Sequence, residues 1–333
     1  VVTRLLIALA VVLGVAGLGG DTPTPGPCGS APDDGGSTLT PYPAMAGRDF
    51  LRGASLDPDG DPATTGATLR TMRDRFGIGT AGLYRLDDPG PVLAALEELG
   101  MTAVVRLEEY DPQTFAFTTA DADRLVERYR DLLGRLGEAG ARSRVAYLAV
   151  TMPLDDPRVQ ARLGGVNSPV SVARQAEYAV AVTSRLRAAA PGLPVYLGVF
   201  YGWDGAYRPP SYAGAGADGY FLTQYSYPRG DAPGAADGDD ALIDARARHA
   251  VMRRFLDQYG DAPVVIEYGV QTTGGPAQEA GLVRDRAAKR RALAATTRFY
   301  CAGYPSVRGT MYFGFDIHKS EGEPSTVTDF GLV

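Results

Sequence analysis

One carboxylate in the chain sits where a purely structural role explains it poorly. Val264-Val265-Ile266-Glu267-Tyr268-Gly269 is an apolar run after Pro263 that ends on Glu267 and is broken by glycine. A valine-rich run of this kind reads as a strand covered on both faces, as in a parallel sheet flanked by helices. An acid at its carboxyl end is either paired with an arginine at the rim of the sheet or free to act as proton acceptor or nucleophile.

Other reactive residues follow the remaining apolar runs. They are Arg52 and Ser55; Arg85 with Asp87 and Asp88; Glu108, Glu109 and Asp111; Thr151, Met152, Asp155 and Asp156; Tyr201, Trp203 and Asp204; Gln224, Tyr225 and Tyr227; Tyr268; and Phe315, Asp316 and His318. The set is acidic and aromatic. It contains no Cys or His cluster at zinc spacing and no glycine-rich phosphate loop, so neither a metal nor a cofactor is expected. Asp57 to Asp61 alternates aspartate with proline and glycine, but it lacks a full calcium-loop pattern and reads as a turn. Carboxylates interleaved with flat rings suit a sugar. Rings cover the apolar faces of a pyranose, while acids accept from its hydroxyls and supply acid/base or nucleophilic catalysis.

The elements that must position these residues alternate from Asp49 onward. Strands are expected at 50–56, 80–86, 102–107, 144–150, 194–201, 220–225, 264–268 and 309–315. Between them lie helical patterns at 64–76, opened by Thr64 as its cap, and at 91–99, closed by Gly100 in a left-handed cap. Further helices are expected at 121–140, with Leu125, Tyr129, Leu132, Leu133 and Leu136 at helical spacing, and at 172–190, 241–259 and 279–300. The segment 209–217 is too rich in Gly and Pro for more than a turn. Eight strands separated by helices, with no composition break after Tyr42, predict an α/β fold, a single (β/α)8 TIM barrel over 49–333 with its last helix missing. In such a barrel the strand carboxyl ends ring one mouth, where active sites are built.

At 333 residues, 45% hydrophobic and 22% charged, the composition is that of a globular protein. A formal charge of -6 leaves no basic surplus to neutralise phosphates, so no nucleic-acid partner is expected. Residues 1–20 carry an early arginine and an apolar run ending in small residues, an export signal or alternatively an uncleaved amino-terminal anchor. Residues 21–48 form a Pro/Gly-rich linker. A secreted or envelope-associated monomer is expected, with an oligo- or polysaccharide as partner. In an exported chain the two cysteines suggest a Cys28 to Cys301 disulfide, two free thiols being the alternative.

Four short stretches carry a resemblance. Leu51-Arg52-Gly53-Ala54-Ser55-Leu56, Ala217-Asp218-Gly219-Tyr220 with Tyr225, Val265-Ile266-Glu267-Tyr268-Gly269, and Asp329-Phe330-Gly331-Leu332-Val333 resemble, in order and spacing, the clan of (β/α)8 glycoside hydrolases with glutamates after strands four and seven. The resemblance implies that Glu267 is the nucleophile and Tyr225 the hydroxyl that steadies it.

The fourth strand departs from that pattern. The clan ends it with Asn-Glu, the glutamate being the acid/base, whereas Val150-Thr151-Met152-Pro153 puts Met152 at that place. A thioether cannot donate a proton, and general acid/base catalysis is worth about 10² to 10⁴ in rate. Glu108, Glu109, Asp155 and Asp156 are the candidate replacements. The reading is therefore a glycoside hydrolase or transglycosylase with Glu267, Tyr225, Glu108 and Asp155 in catalysis. Arg52, Arg85, Glu109, Tyr201, Trp203, Asp204, Tyr227, Tyr268, Phe315 and Asp316 would bind substrate. The alternative is a catalytically degenerate carbohydrate-binding protein on the same scaffold. Glu267→Gln is expected to stop turnover while barely moving the melting temperature.

Overall fold

The structure is a computed structural model that describes residues 50–56, 62–84, 90–108, 110–137, 142–154, 156–202, 206–224, 243–269 and 286–315. Its strands are β1 (Leu51–Ser55), β2 (Thr80–Leu83), β3 (Thr102–Leu107), β4 (Val145–Val150), β5 (Val195–Phe200), β6 (Gly219–Thr223), β7 (Val264–Tyr268) and β8 (Val307–Tyr312). They close in chain order into one barrel, each parallel to both neighbours. The helices are α1 (Pro62–Phe76), α2 (Gly90–Leu99), α3 (Thr119–Arg128), α4 (Arg130–Leu136), α5 (Pro157–Arg162), α6 (Pro169–Ala189), α7 (Ala245–Tyr259) and α8 (Arg286–Gly303), with one 3-10 turn at Ala213–Ala215. This is a (β/α)8 TIM barrel, as the alternating pattern predicts.

Local signals set most boundaries. Gly100 ends α2 at φ +65°, and the next amide, of Met101, donates to the Leu96 carbonyl at 2.9 Å. Thr118 and Asp121 form a reciprocal capping box at the start of α3. The single helix expected over 121–140 is instead broken at Tyr129, whose φ of -102° and ψ of 13° lie outside the helical range. Its hydroxyl reaches the end of β3, donating to the Glu108 carbonyl at 3.0 Å and accepting from the Glu108 amide at 3.3 Å. The short helix α5 was not expected. Asp156 caps it by accepting from the Arg158 amide at 2.8 Å, and Pro157 occupies the first turn.

The chain packs in two apolar shells. Outward-facing strand residues such as Ala54, Leu107, Leu148, Leu197, Leu222 and Ile266 meet the helices in the larger one. Inside the barrel, Val104, Tyr147, Ala149, Phe221, Val265 and Met311 fill the lower bore. There the Tyr147 and Tyr196 rings stack at 4.1 Å. Gly219 makes room for them, since a β-carbon on it would stand 2.8 Å from the Pro263 carbonyl oxygen and press into the Tyr196 ring.

Cys301, on α8, is disulfide-bonded; Cys28, the other cysteine of the chain, lies outside the described residues. The expected signal or anchor, the expected linker and the segment after 315 also lie outside them. Among the described residues no helix is long and apolar enough to cross a membrane.

Candidate active site

Two residues up each strand from the apolar layer, the bore turns polar. Ser55 follows Gly53, Tyr84 follows Gly82, Arg106 follows Val104, Thr151 follows Ala149, Thr223 follows Phe221 and Glu267 follows Val265. Period-two alternation puts each pair on one side of the sheet. The hydrogen bonds among these six, across staves that are not neighbours, show that the shared side is the inside.

Glu267 is the hub of this layer. It is 4% exposed. Its Oε1 accepts from the Tyr84 hydroxyl at 3.0 Å and from Nη1 of Arg106, which stands on the opposite stave of the barrel. Its Oε2 accepts from the Thr223 hydroxyl at 3.0 Å. A carboxylate offers about four lone-pair sites. Three are filled, and the fourth, on Oε2, is the one left for a substrate or a water.

The partners are themselves held. Arg106 donates to the Tyr84 oxygen and, through Nη2, to the Thr151 hydroxyl at 3.3 Å. Its guanidinium carbon lies 4.4 Å from the Tyr84 ring centroid and 5.0 Å from that of Phe221. Flat cation on flat ring is a favourable contact that leaves the edge N–H groups free to bond. Burial pushes the Tyr84 phenol far above its ordinary range, so it stays protonated and donates to Glu267. Ser55 completes the layer, donating to the Tyr84 oxygen at 3.5 Å.

The Arg106–Glu267 pair is buried, with side chains 11% and 6% exposed. Such a pair offsets its desolvation only when both groups are fully hydrogen-bonded, and removing one partner strands the other. This overturns the expectation that Glu267→Gln would be thermally silent. The amide could still take the tyrosine and threonine hydroxyls, but it would leave the arginine charge uncompensated.

The remaining sequence candidates fall into three groups. Glu108 is described, half-buried, and two residues beyond Arg106 on the parity that faces the bore. Arg52, Tyr201, Tyr268 and Phe315 face away from the bore, correcting their assignment to the mouth. Arg52 is in register with Thr310, whose side chain meets Thr297 of α8 on the outer side of the sheet. The Tyr201 hydroxyl donates to Gln258 of α7 at 2.6 Å, and that of Tyr268 to the Leu293 carbonyl of α8 at 3.4 Å. Phe315 packs edge-on against Phe76 of α1. Alternation is the cause for Arg52, Tyr201 and Tyr268, each one residue from an inward position; Phe315 has the parity of the inward Met311, but Gly314 at φ +79° ends the strand geometry before it. Arg85, Glu109, Asp155, Trp203, Asp204, Tyr225, Tyr227 and Asp316 lie outside the described residues, as does His318.

Two candidate features of the fourth strand also have their place. Met152 is buried in the outer apolar shell, and Thr151 takes the inward position above β4. Asp156 is committed to capping α5. The Arg158 guanidinium, with the Arg158 and Val159 amides, holds its carboxyl well down, at about 2, so it carries no proton to donate near neutrality. Among the described residues no group of His, Cys, Asp or Glu could hold a metal ion.

Tyr84, Arg106 and Thr223 were missed by the sequence reading, which took its candidates from the carboxyl end of each expected strand and the loop after it. Arg106 gave the same signal as Glu267, a lone charge in an otherwise apolar strand, and Thr223 lies one residue before Gln224.

No protein-family model matches the sequence, and no curated protein matches it. Solved structures do match in fold. A β-glucuronidase from an uncultured Clostridium sp. is 14% identical with a TM-score of 0.55, over 86% of this chain and 47% of that one. The chain thus spans about half the length of the β-glucuronidases it matches. An active-site mutant of Rhizomucor miehei β-1,3-glucanosyltransferase in complex with laminaritriose is 16% identical with a TM-score of 0.56, over 85% of this chain and 92% of that one. The virulence factor SghA, in complex with its substrate analog salicin, is 15% identical with a TM-score of 0.54, over 88% and 91%. At these identities the likeness is one of architecture: the chain is a (β/α)8 barrel with the fold of the glycoside hydrolases that its sequence resembles.

Proposed function

We propose that this protein is exported and cleaves or transfers glycosidic bonds of an extracellular or cell-envelope polysaccharide, with Glu267 as nucleophile or base. The observation that carries the reading is the single open lone-pair position on a carboxylate otherwise fixed by Arg106, Tyr84 and Thr223. Arg106 opposes the charge of Glu267, and the two hydroxyls fix the plane of its carboxyl group. Oε2 then either attacks the anomeric carbon, whose bond to the leaving oxygen breaks as that oxygen is protonated, giving a glycosyl ester that water resolves, or takes a proton from a water that displaces the same oxygen instead. The disulfide at Cys301 fits an oxidising compartment outside the cytosol.

Incubating the protein with a panel of polysaccharides and oligosaccharides and following new reducing ends or transfer products tests the reading. Turnover should vanish in Glu267→Gln. Turnover that persists in that variant refutes the assignment.

A second reading has its own observation. The inward position above β4 holds Thr151, bonded to Arg106, and the next residue is a buried methionine. A barrel without a proton donor would hold a glycan without cutting it. Calorimetric binding with no reducing ends released over days would establish that reading in place of the first.

A further inference from the structure

Resting on that proposal, we infer that Glu108, at the end of β3, is the proton donor that replaces the missing acid of the fourth strand, and that Tyr129 positions it. Every other described carboxylate in the loops above the barrel is spoken for. Asp111 accepts from the Gln113 amide and the Thr114 hydroxyl, Asp121 closes the capping box of α3, Asp156 caps α5, and Asp244 caps α7. The Glu108 side chain has no such bond, and it is half-buried.

Its backbone, in contrast, is held on both sides. The Tyr129 hydroxyl accepts from the Glu108 amide and donates to the Glu108 carbonyl, and this occurs at the break between α3 and α4. One further ladder bond, from the Thr151 amide to the Leu107 carbonyl at 3.1 Å, keeps the chain extended up to that point. A fixed backbone under an uncommitted side chain is what a group needs when its partner is a ligand rather than the protein.

The height is also suitable. At about 3.3 Å per strand residue, Glu108 starts roughly 6.6 Å further along β3 than Arg106. Arg106 touches Glu267, so the Glu108 backbone starts above that pair, and the inference puts a sugar's anomeric centre between the two acids. In the step, the bond from the anomeric carbon to the leaving oxygen breaks and the Glu108 proton passes to that oxygen. The new bond to the anomeric carbon comes from Glu267 or from a water deprotonated by it. Glu108 recovers a proton from the incoming water or from solvent.

The test compares wild type, Glu108→Gln and Tyr129→Phe on laminari-, cello-, malto- and chito-oligosaccharides and on the 2,4-dinitrophenyl glycosides of the same sugars, whose leaving group needs no proton. Glu108→Gln should lose about 10² to 10⁴ in rate on the oligosaccharides and less than about tenfold on the activated glycosides. Tyr129→Phe should show the same split to a smaller degree. A merely structural role would slow both substrate classes alike, and that result overturns the inference, as does full activity of Glu108→Gln on oligosaccharides. Melting temperatures separate a folding defect from a chemical one. Should Glu267→Gln be inactive while Glu108→Gln is not, the inference fails and the parent proposal stands. Absence of any turnover by wild type removes both.

Discussion

Replacing Arg106 by methionine is the sharpest test of how the polar layer is held. The variant keeps most of the side-chain volume but leaves Glu267 as a buried charge with only two hydroxyl donors, those of Tyr84 and Thr223. Both members of the pair are nearly fully buried, at 11% and 6% exposure, so solvent cannot take over the missing partner. Removing one member of a buried pair costs about 3 to 5 kcal/mol. The Thr151 hydroxyl loses its donor as well. For a barrel of this size that corresponds to a drop on the order of 10 °C in melting temperature. Glu267→Gln should destabilise by a comparable amount, because it strands the guanidinium. The double variant Arg106→Met/Glu267→Gln removes both charges and should recover most of the loss, giving a coupling free energy of about 2 to 4 kcal/mol. Urea unfolding of the four proteins at pH 7 measures it. Additive effects, with the double variant as unstable as the sum of the singles, would refute the description of Glu267 as an acid neutralised from the opposite stave.

Tyr84→Phe removes one donor to Glu267 and an acceptor for Arg106 and Ser55; it should cost about 1 to 3 kcal/mol and, on the proposed function, lower kcat more than it raises KM. Asp156 should give the protein an acid-labile increment. Its carboxyl is held at about 2, below the usual 3.8, chiefly by the Arg158 side chain, so the stabilisation is present above about pH 4 and disappears as the pH falls through 2. Because Arg158 is solvent-exposed, that increment is about 1 to 2 kcal/mol rather than the full linkage value, and Asp156→Asn should flatten the stability curve over that interval. Gly219→Ala should destabilise by about 1 to 3 kcal/mol through overpacking against Tyr196 and the Pro263 carbonyl, read as a lower urea midpoint at unchanged slope.

The barrel was legible because strands and helices leave different periods in a sequence. β3 and β7 match their expected limits residue for residue, and the other strands agree within a few. The polar layer was only partly legible, and the strands themselves explain why. A parallel strand covered on both faces is apolar at every position, so it carries no alternation that says which side is inward. Arg52 in β1 and Arg106 in β3 therefore look alike in sequence, yet one lies on the side of α8 and the other meets Glu267. Tyr268 and Glu267 are neighbours with opposite fates for the same reason. The break at Tyr129 was hidden differently. Leu125, Tyr129, Leu132, Leu133 and Leu136 keep helical spacing through it, and only the tertiary bond to Glu108 reveals that the tyrosine serves the neighbouring strand. Asp156 looked like a catalytic acid because helix caps and catalytic acids draw on the same residue type; Pro157 directly after it was the signal for the cap.

The stacked Tyr147 and Tyr196 rings, with Val104, Phe221, Val265 and Met311 beside them, act as a stopper in the foot of the cylinder. Among the described residues the foot of the bore is closed, so on the proposed function arrivals at Glu267 and departures from it would share the opening at the rim. On the proposed function a long glycan would lie across the opening or be gripped by its end rather than thread through, and a product would have to clear the rim before the next arrival.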